Sequence, residues 1–378
     1  MAIKRPLVLG LGSVGSLVAA LLAELGMQVT GMDRERVSPI PDTINFIAGD
    51  VTQPETLAYA LAGKDAVIAC LPYHLILPVA DAAHKAGLHY FDPTEDVATT
   101  EAIRKLAHTA QGVMIPQNGL APGFIAILGA HLARQFDAGK LRHIKMRVGA
   151  LPQHPIGQLG YAGNWSLEGL VHEYIAPCDV IMHGQRQKVP ALDDLEILRI
   201  NGAEYEAFTT SGGLGTMTET YEGKVETLNY KSIRYPGHLA GMKLLIEELR
   251  FRDHPDALVK CLANALPPDE QDRVLIHVSV QGKIAGKMQT KEVVADYKPI
   301  AIGGRDHTAI AWTTAASIVA VVELVSDGML PQQGFVKQEK IPLDAFLQTT
   351  TGRWYAEHHP SLAEFATRSV TYGHHPHS

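Results

Sequence analysis

Leu7-Val8-Leu9-Gly10-Leu11-Gly12-Ser13-Val14-Gly15 reads as a buried strand running into a G-x-G-x-x-G turn that opens a helix. The three glycines have separate tasks. Gly10 permits the tight turn, Gly12 lets backbone approach a pyrophosphate, and Gly15 lets the helix sit close on the strand. The helix N-terminus, around Ser13 and Val14, offers N–H groups and a partial positive charge to an anion. Apolar residues Val14, Leu17, Val18, Leu21, Leu22 and Leu25 form an i, i+3, i+4 stripe, and Gly26 stops it. A second strand, Gln28-Val29-Thr30-Gly31-Met32, ends at Asp33, eighteen residues after Gly15, where a ribose-binding carboxylate belongs. Together these features predict a dinucleotide site.

Outward from this motif, strand and helix keep alternating. Short apolar strands are expected at 44–50, 65–72, 89–92 and 113–116, with helices at 54–61, 75–86 and 100–110 between them. That pattern predicts an α/β fold, a doubly wound parallel sheet of the Rossmann type over residues 1–121. Ligands of such sheets bind beyond the C-terminal strand ends. Gly10 to Gly15, Asp33, Asp50, residues 71–74, 92–96 and 117–123 should therefore share one edge. After Gly119-Leu120-Ala121-Pro122-Gly123 and a helix over 124–136 the pattern changes. Residues 143–149 alternate like a half-buried strand, and 149–165 form a loop rich in Gly and Pro. Ser166 starts a helix. Residues 274–280 and 290–295 look like an antiparallel pair around Gln281-Gly282-Lys283. A second, α+β catalytic domain is thus expected over 122–309, with an apolar helix over 310–325 and the remainder of 310–378 packing back on the first domain.

Composition narrows the function classes. A chain of 378 residues can hold two domains with real cores. A net charge of −7 argues against nucleic-acid binding. No run of eighteen apolar residues and no basic-then-apolar start occur, so neither a membrane span nor a secretory signal is expected. The three cysteines, Cys70, Cys178 and Cys261, lie far apart, which fits a reducing cytoplasm without a disulfide frame. Five of the eighteen histidines (His358, His359, His374, His375, His377) fall near the end and read as a solvated tail. No spacing indicates a metal site.

Five ordered blocks from residue 119 onward carry a family resemblance. They are Gly119-Leu120-Ala121-Pro122-Gly123, Val148-Gly149-Ala150-Leu151-Pro152, Trp165-Ser166-Leu167-Glu168-Gly169-Leu170 with Glu173-Tyr174, Ala207-Phe208-Thr209-Thr210-Ser211-Gly212-Gly213, and Ile233-Arg234-Tyr235-Pro236-Gly237-His238. With them the chain resembles the saccharopine dehydrogenase superfamily, and most closely its lysine 6-dehydrogenase branch, which its length also matches. The resemblance implies a Rossmann domain, a catalytic α+β domain, and NAD- or NADP-linked oxidation at a C–N bond of a small amino-acid substrate. His74 and Pro93-Thr94-Glu95-Asp96 depart from the lysine enzymes at the active edge, so the exact substrate is open.

The chemistry assigns candidate roles. Asp33 should accept hydrogen bonds from the adenosine ribose, which favours NAD, while the adjacent Arg34 keeps NADP open. Asp50 and Val51 approach the adenine, and Leu71 and Pro72 the nicotinamide. Arg234 is the first choice for a substrate carboxylate, through two parallel charge-assisted bonds. Ser211 and Gly212 can give it backbone N–H groups. His238 and His172 are candidates for the base, since histidine titrates near neutral pH. Tyr73 and His74 follow the nicotinamide strand and can touch substrate, and Asp96 can meet an ammonium. The rival readings are carboxynorspermidine-type reductive condensation and a non-catalytic NAD-binding regulator on the same fold. Pairing through sheet edges predicts a homodimer.

Overall fold

The structure is a computed structural model and describes residues 2–36 and 39–366. His374, His375 and His377 lie outside the described residues. Pro6–Leu9 form β1, and all four residues are buried, as a strand covered on both faces requires. α1 follows over Ser13–Glu24. The alternation continues through β2 (Thr30–Asp33), β3 (Asn45–Ala48), α2 (Pro54–Leu61), β4 (Ala66–Ala69), α3 (Tyr73–Lys85), β5 (His89–Phe91), α4 (Val97–Ala107) and β6 (Val113–Ile115). A further short strand, Gly334–Phe335, arrives from far along the chain and pairs parallel with β6. Across the sheet the order is Gly334–Phe335, β6, β5, β4, β1, β2, β3. The chain winds outward from β1 in both directions, and the reversal between β1 and β4 leaves a crevice at the C-terminal strand ends.

The second half is built on a mixed sheet. Its elements are α5 (Phe124–Ala133), β7 (Leu141–Pro152), α6 (Leu167–Ile175), β8 (Cys178–Met182), β9 (Gln185–Val189), β10 (Glu196–Ile200), β11 (Ala203–Thr209), α7 (Met217–Tyr221), β12 (Val225–Arg234), α8 (His238–Lys243), α9 (Pro255–Ala265), β13 (Asp272–Ile284) and β14 (Lys287–Tyr297). The order is β10-β11-β12-β7-β13-β14, with β12 and β7 parallel and the other neighbours antiparallel. One expectation is corrected. Gln281-Gly282-Lys283 is strand, with Gln281 opposite Thr290, and the turn is Ala285-Gly286 beyond Ile284 and Lys287. Both turn residues have positive φ (50° and 75°), as a two-residue hairpin requires. The exposed Lys283, Lys287 and Gln289 disguise the ladder's outer end as loop.

α10 (Ala309–Ser326) joins the two halves. Its Thr308 cap accepts the Ala311 N–H. The helix is long and apolar enough to cross a membrane by length and composition, yet 78% of it is buried inside the protein. It packs against α1 and β13. One apolar core therefore runs from Val8 and Ile115 through Trp312 and Ile318 to Val148 and Ile276. Burial on this scale, about 25 cal/mol per Å² of apolar surface, fixes how the two sheets face each other.

Candidate functional site

The glycine turn behaves as its spacing predicts. Gly10 has φ 82°, and a Cβ there would lie 2.3 Å from the Cys70 carbonyl oxygen. A Cβ on Gly15 would lie 1.8 Å from the Gly10 carbonyl oxygen. A Cβ on Gly12 would meet nothing within 4 Å, so the space beside that position is open. No side chain caps α1, and Ser13 and Val14 line the crevice beside it. A groove continues from Gly10 and Gly12 over the ends of β2 and β3, lined by Asp33, Arg34, Asp50 and Val51. Asp33 Oδ2 accepts the Leu11 N–H at 2.7 Å and Oδ1 accepts the Arg34 N–H at 2.7 Å, so the acid also staples the turn. Asp50 accepts from the Thr52 N–H and hydroxyl, which hold its carboxyl below the usual range. Leu71 and Pro72 line both this groove and the neighbouring cleft. An open Gly12, an uncapped helix N-terminus and an acid at the end of β2 fit a dinucleotide, with the pyrophosphate over 12–14 and the ribose at Asp33.

The neighbouring cleft lies between the two sheets. Arg234 ends β12 and lines it while remaining 3% exposed. Its Nε donates to the Tyr174 hydroxyl at 2.8 Å and its Nη1 to the Ile233 carbonyl at 2.8 Å. The rings of Tyr161 and Tyr174 lie 4.9 Å and 5.7 Å from its Cζ, an arrangement that holds the guanidinium by cation–π attraction. Behind it, His238 Nδ1 lies 2.7 Å from the Leu159 carbonyl and Nε2 lies 3.0 Å from the Tyr174 hydroxyl. A carbonyl only accepts, so Nδ1 carries the proton and Nε2 accepts from Tyr174. Burial, then the charge of Arg234, pushes the His238 pKa down to about 3.

Two acids share the cleft with Arg234. Glu95, after β5, and Glu173, on α6, both line it. A Cβ on Gly169 would lie 2.7 Å from Glu95 Oε1, so the Glu95 carboxyl sits over Gly169, one turn before Glu173 on the same helix. Ser166 starts that helix by accepting the Gly169 N–H at 3.0 Å. Burial raises the pKa of each acid. The Glu95 charge raises Glu173 further and Arg234 opposes the rise. At the rim, His172 Nε2 lies 3.2 Å from Asp96 Oδ1, and its ring stacks on Tyr73 with centroids 5.0 Å apart. Tyr73 itself lines the cleft.

Several sequence assignments change. His238 does not line the cleft; both ring nitrogens are engaged and the ring is neutral, so it is a support for Tyr174 and not a base. His172 lies at the rim against Asp96, outside the lining residues. Asp96 caps α4 by accepting the Thr99 N–H at 2.7 Å, which with His172 occupies its carboxyl. Ser211 gives its N–H to the Glu173 carbonyl and its hydroxyl to the Pro177 carbonyl, leaving neither for substrate. Gly212 packs on Glu95, whose carbonyl oxygen a Cβ would meet at 2.6 Å. His74 lines the dinucleotide groove beside Glu168 and is absent from the cleft lining. Sequence reasoning gave no role to Glu173, Tyr161 or Tyr174. The available signal was an acid inside the apolar stripe Leu170, Val171, Tyr174 of a helix.

A doubly wound domain facing a mixed-sheet domain across one cleft, with a nucleotide groove feeding it, defines a two-domain protein of the nicotinamide-nucleotide-binding class. The chain matches the saccharopine dehydrogenase NADP binding domain over residues 7–115 and the saccharopine dehydrogenase C-terminal domain over 119–353, and it belongs to the saccharopine dehydrogenase family. Among solved structures, it is similar to the apo saccharopine dehydrogenase (L-Glu forming) of Saccharomyces cerevisiae, with TM-score 0.70 and 17% identity over 89% of this chain and 94% of that one. A DAP dehydrogenase of C. glutamicum in complex with DAP aligns at TM-score 0.47 and 12% identity, over 94% of this chain and 99% of that one. Two curated UPF0146 proteins of Halobacterium salinarum are each 40% identical over 70 residues, 18% of this chain. The chain spans about half the length of these curated relatives, 53%.

Proposed function

We propose that this chain is an NAD(P)-dependent dehydrogenase of amino-acid C–N bonds, oxidising an amine of lysine, or of a lysine adduct such as saccharopine, to an imine. The observation that carries the reading is the placement of Arg234, Glu95 and Glu173 in one cleft that also receives the open end of α1 at 12–14. Arg234 binds the substrate carboxylate, oriented by Tyr174 and faced by Tyr161. The Glu95–Glu173 pair holds the substrate ammonium and takes its proton, a task that contributes roughly 10²–10⁴-fold. The bound nicotinamide supplies the hydride acceptor. Leu71, Pro72 and Leu120 give the cleft apolar walls that exclude water from the reacting carbon.

Charge favours lysine over saccharopine. Among the described residues lining the cleft, Arg234 is the one cation and faces two acids, which suits one carboxylate and an ammonium better than a tricarboxylate. The same acids favour, as a second reading, an amine-rich substrate of the carboxynorspermidine type. The reading includes a homodimer in a reducing cytoplasm, and a monomer mass in light scattering removes the dimer. The deciding assay offers NAD and NADP separately with L-lysine, saccharopine and a polyamine acid, and follows cofactor reduction by near-ultraviolet absorbance. Turnover with lysine supports the first reading. Turnover only with the polyamine acid moves the protein to the second. Binding of NADH without turnover on any amine makes it a regulator.

A further inference from the structure

Oxidising an ammonium-bearing carbon to an iminium releases one proton for every hydride transferred, and a cleft with apolar walls must pass that proton to water. The geometry around α6 provides a route. Residues three and four apart on a helix are neighbours, with Cβ atoms about 5–6 Å apart. The Glu95 carboxyl sits over Gly169, so it has Glu173 beside it toward the cleft and His172 beside it toward the rim. His172 is bound to Asp96 at 3.2 Å, and its side chain is 33% exposed. Tyr73, which lines the cleft, stacks on that ring and fixes its plane. Gly212 packs on the Glu95 backbone, and the Ser211 N–H binds the Glu173 carbonyl, so one loop pins both acids.

Resting on the dehydrogenase reading above, we propose that Glu95 carries the released proton from the cleft to His172, and that the His172–Asp96 pair delivers it to solvent. The substrate N–H bond breaks and its proton moves to the Glu95 carboxylate. The electron pair left on nitrogen forms the C=N bond as the C–H pair leaves as hydride to the nicotinamide. Glu95 then gives the proton to the His172 ring, whose charge it feels across the first turns of α6. The ring, whose protonated form the Asp96 hydrogen bond favours, then loses it to water. His172 is here a relay residue and Glu95 the group that meets substrate.

The surrounding charges agree with this direction. Glu95 is faced by His172 and Glu173 from α6, by Asp96 from its own loop and by Asp92 at the end of β5. Arg234 and Tyr230 of β12 face Glu173. Burial raises the Glu95 pKa, and the Asp96 hydrogen bond raises that of His172.

Two measurements test the relay. In the cofactor-free chain, the His172 ring should titrate by NMR above an ordinary histidine, and E95Q should shift that titration. A His172 pKa indifferent to E95Q overturns the relay. In turnover, H172A should lose about 10²-fold in kcat at low buffer with the amino-acid KM nearly unchanged, and added imidazole should restore most of it. H172Q guards against a folding defect and should be equally slow and equally rescued. Unchanged kcat in both variants removes the relay alone. Absence of wild-type turnover on every amine removes the dehydrogenase reading, and the relay with it.

Discussion

His238 Nε2 lies 3.0 Å from the Tyr174 hydroxyl, beneath the cleft rather than in it. The direction of this bond is forced, because His238 Nδ1 is committed to the Leu159 carbonyl. Tyr174 thus gives its proton to His238 and accepts that of Arg234 Nε, which holds the guanidinium in one plane. Tyr174→Phe leaves both partners without a bond, at about 1–3 kcal/mol for an unsatisfied buried group. The amino-acid KM should rise about tenfold, with dinucleotide affinity untouched. His238→Phe should act in the same direction without moving the neutral-pH limb of the rate profile, since the ring stays uncharged down to about pH 3. A loss of dinucleotide binding in either variant would contradict this assignment.

Gly12 and Gly15 separate binding from folding. A methyl on Gly15 would meet the Gly10 carbonyl oxygen at 1.8 Å, so Gly15→Ala must push α1 off β1. Overpacking of this kind costs about 1–3 kcal/mol or more. A Cβ on Gly12 would meet nothing within 4 Å and φ is −68°, so Gly12→Ala should leave the melting temperature nearly unchanged. It should nonetheless weaken dinucleotide binding by about tenfold or more, because the methyl occupies the space the pyrophosphate needs. Calorimetric melting together with titration of NADH distinguishes the two. Normal NADH binding by Gly12→Ala would move the pyrophosphate elsewhere.

The parts legible in sequence are those governed by local rules. Periodicity and turn chemistry located β1 to β6, the helices between them and the edge where Gly10, Asp33, Asp50 and Leu71 meet. Arg234 stood out in sequence as a fork-shaped cation beside the Pro236-Gly237 turn, and it lines the cleft. Partners far apart in sequence were not legible. Arg234 is oriented by Tyr174, sixty residues away, and that hydroxyl by His238, sixty-four away. Free imidazole titrates near neutrality, which marks a histidine as a base in sequence, but burial reverses this for His238. Glu173 was hidden by its place on an apolar helix face. The short strand Gly334–Phe335 was hidden because two residues carry no period.

Two aspartates near the cleft pull stability in opposite directions with pH. Burial raises Asp92 from 3.8 to about 7, against the opposing Thr94 N–H bond. Between those values the folded chain holds a proton that the unfolded chain has lost, so stability falls as pH rises from about 4 to about 7. The full effect is at most about 4 kcal/mol, and Asp92→Asn should remove it. Asp96 is held down at about 2 by the His172 hydrogen bond first and its Thr99 bonds next. Its contribution is complete above about pH 4 and fades as pH falls toward 2. Urea titrations across pH 3–8 should therefore show a maximum in the acid range for wild type and a flatter neutral limb for Asp92→Asn. A neutral limb of equal slope in that variant would assign the dependence to other groups.

Asp33 carries two tasks that a pair of substitutions can separate. Its Oδ2 staples the glycine turn through the Leu11 N–H, while its charge stands in the groove where a ribose 2′-phosphate would lie. Like charge there disfavours NADP, and the neighbouring Arg34 favours it. Asp33→Asn keeps an acceptor oxygen for the turn and removes the charge. It should hold the melting temperature within a few degrees and lower the NAD-over-NADP preference in kcat/KM about tenfold. Asp33→Ala removes the acceptor as well and should add a loss of about 1–3 kcal/mol in stability, since the Leu11 N–H is left without its partner. Arg34→Ala should act oppositely on cofactor choice, weakening NADP alone. If Asp33→Asn leaves the preference ratio unchanged, Asp33 is a turn staple only, and cofactor choice must come from the other walls of the groove, Asp50 to Thr52.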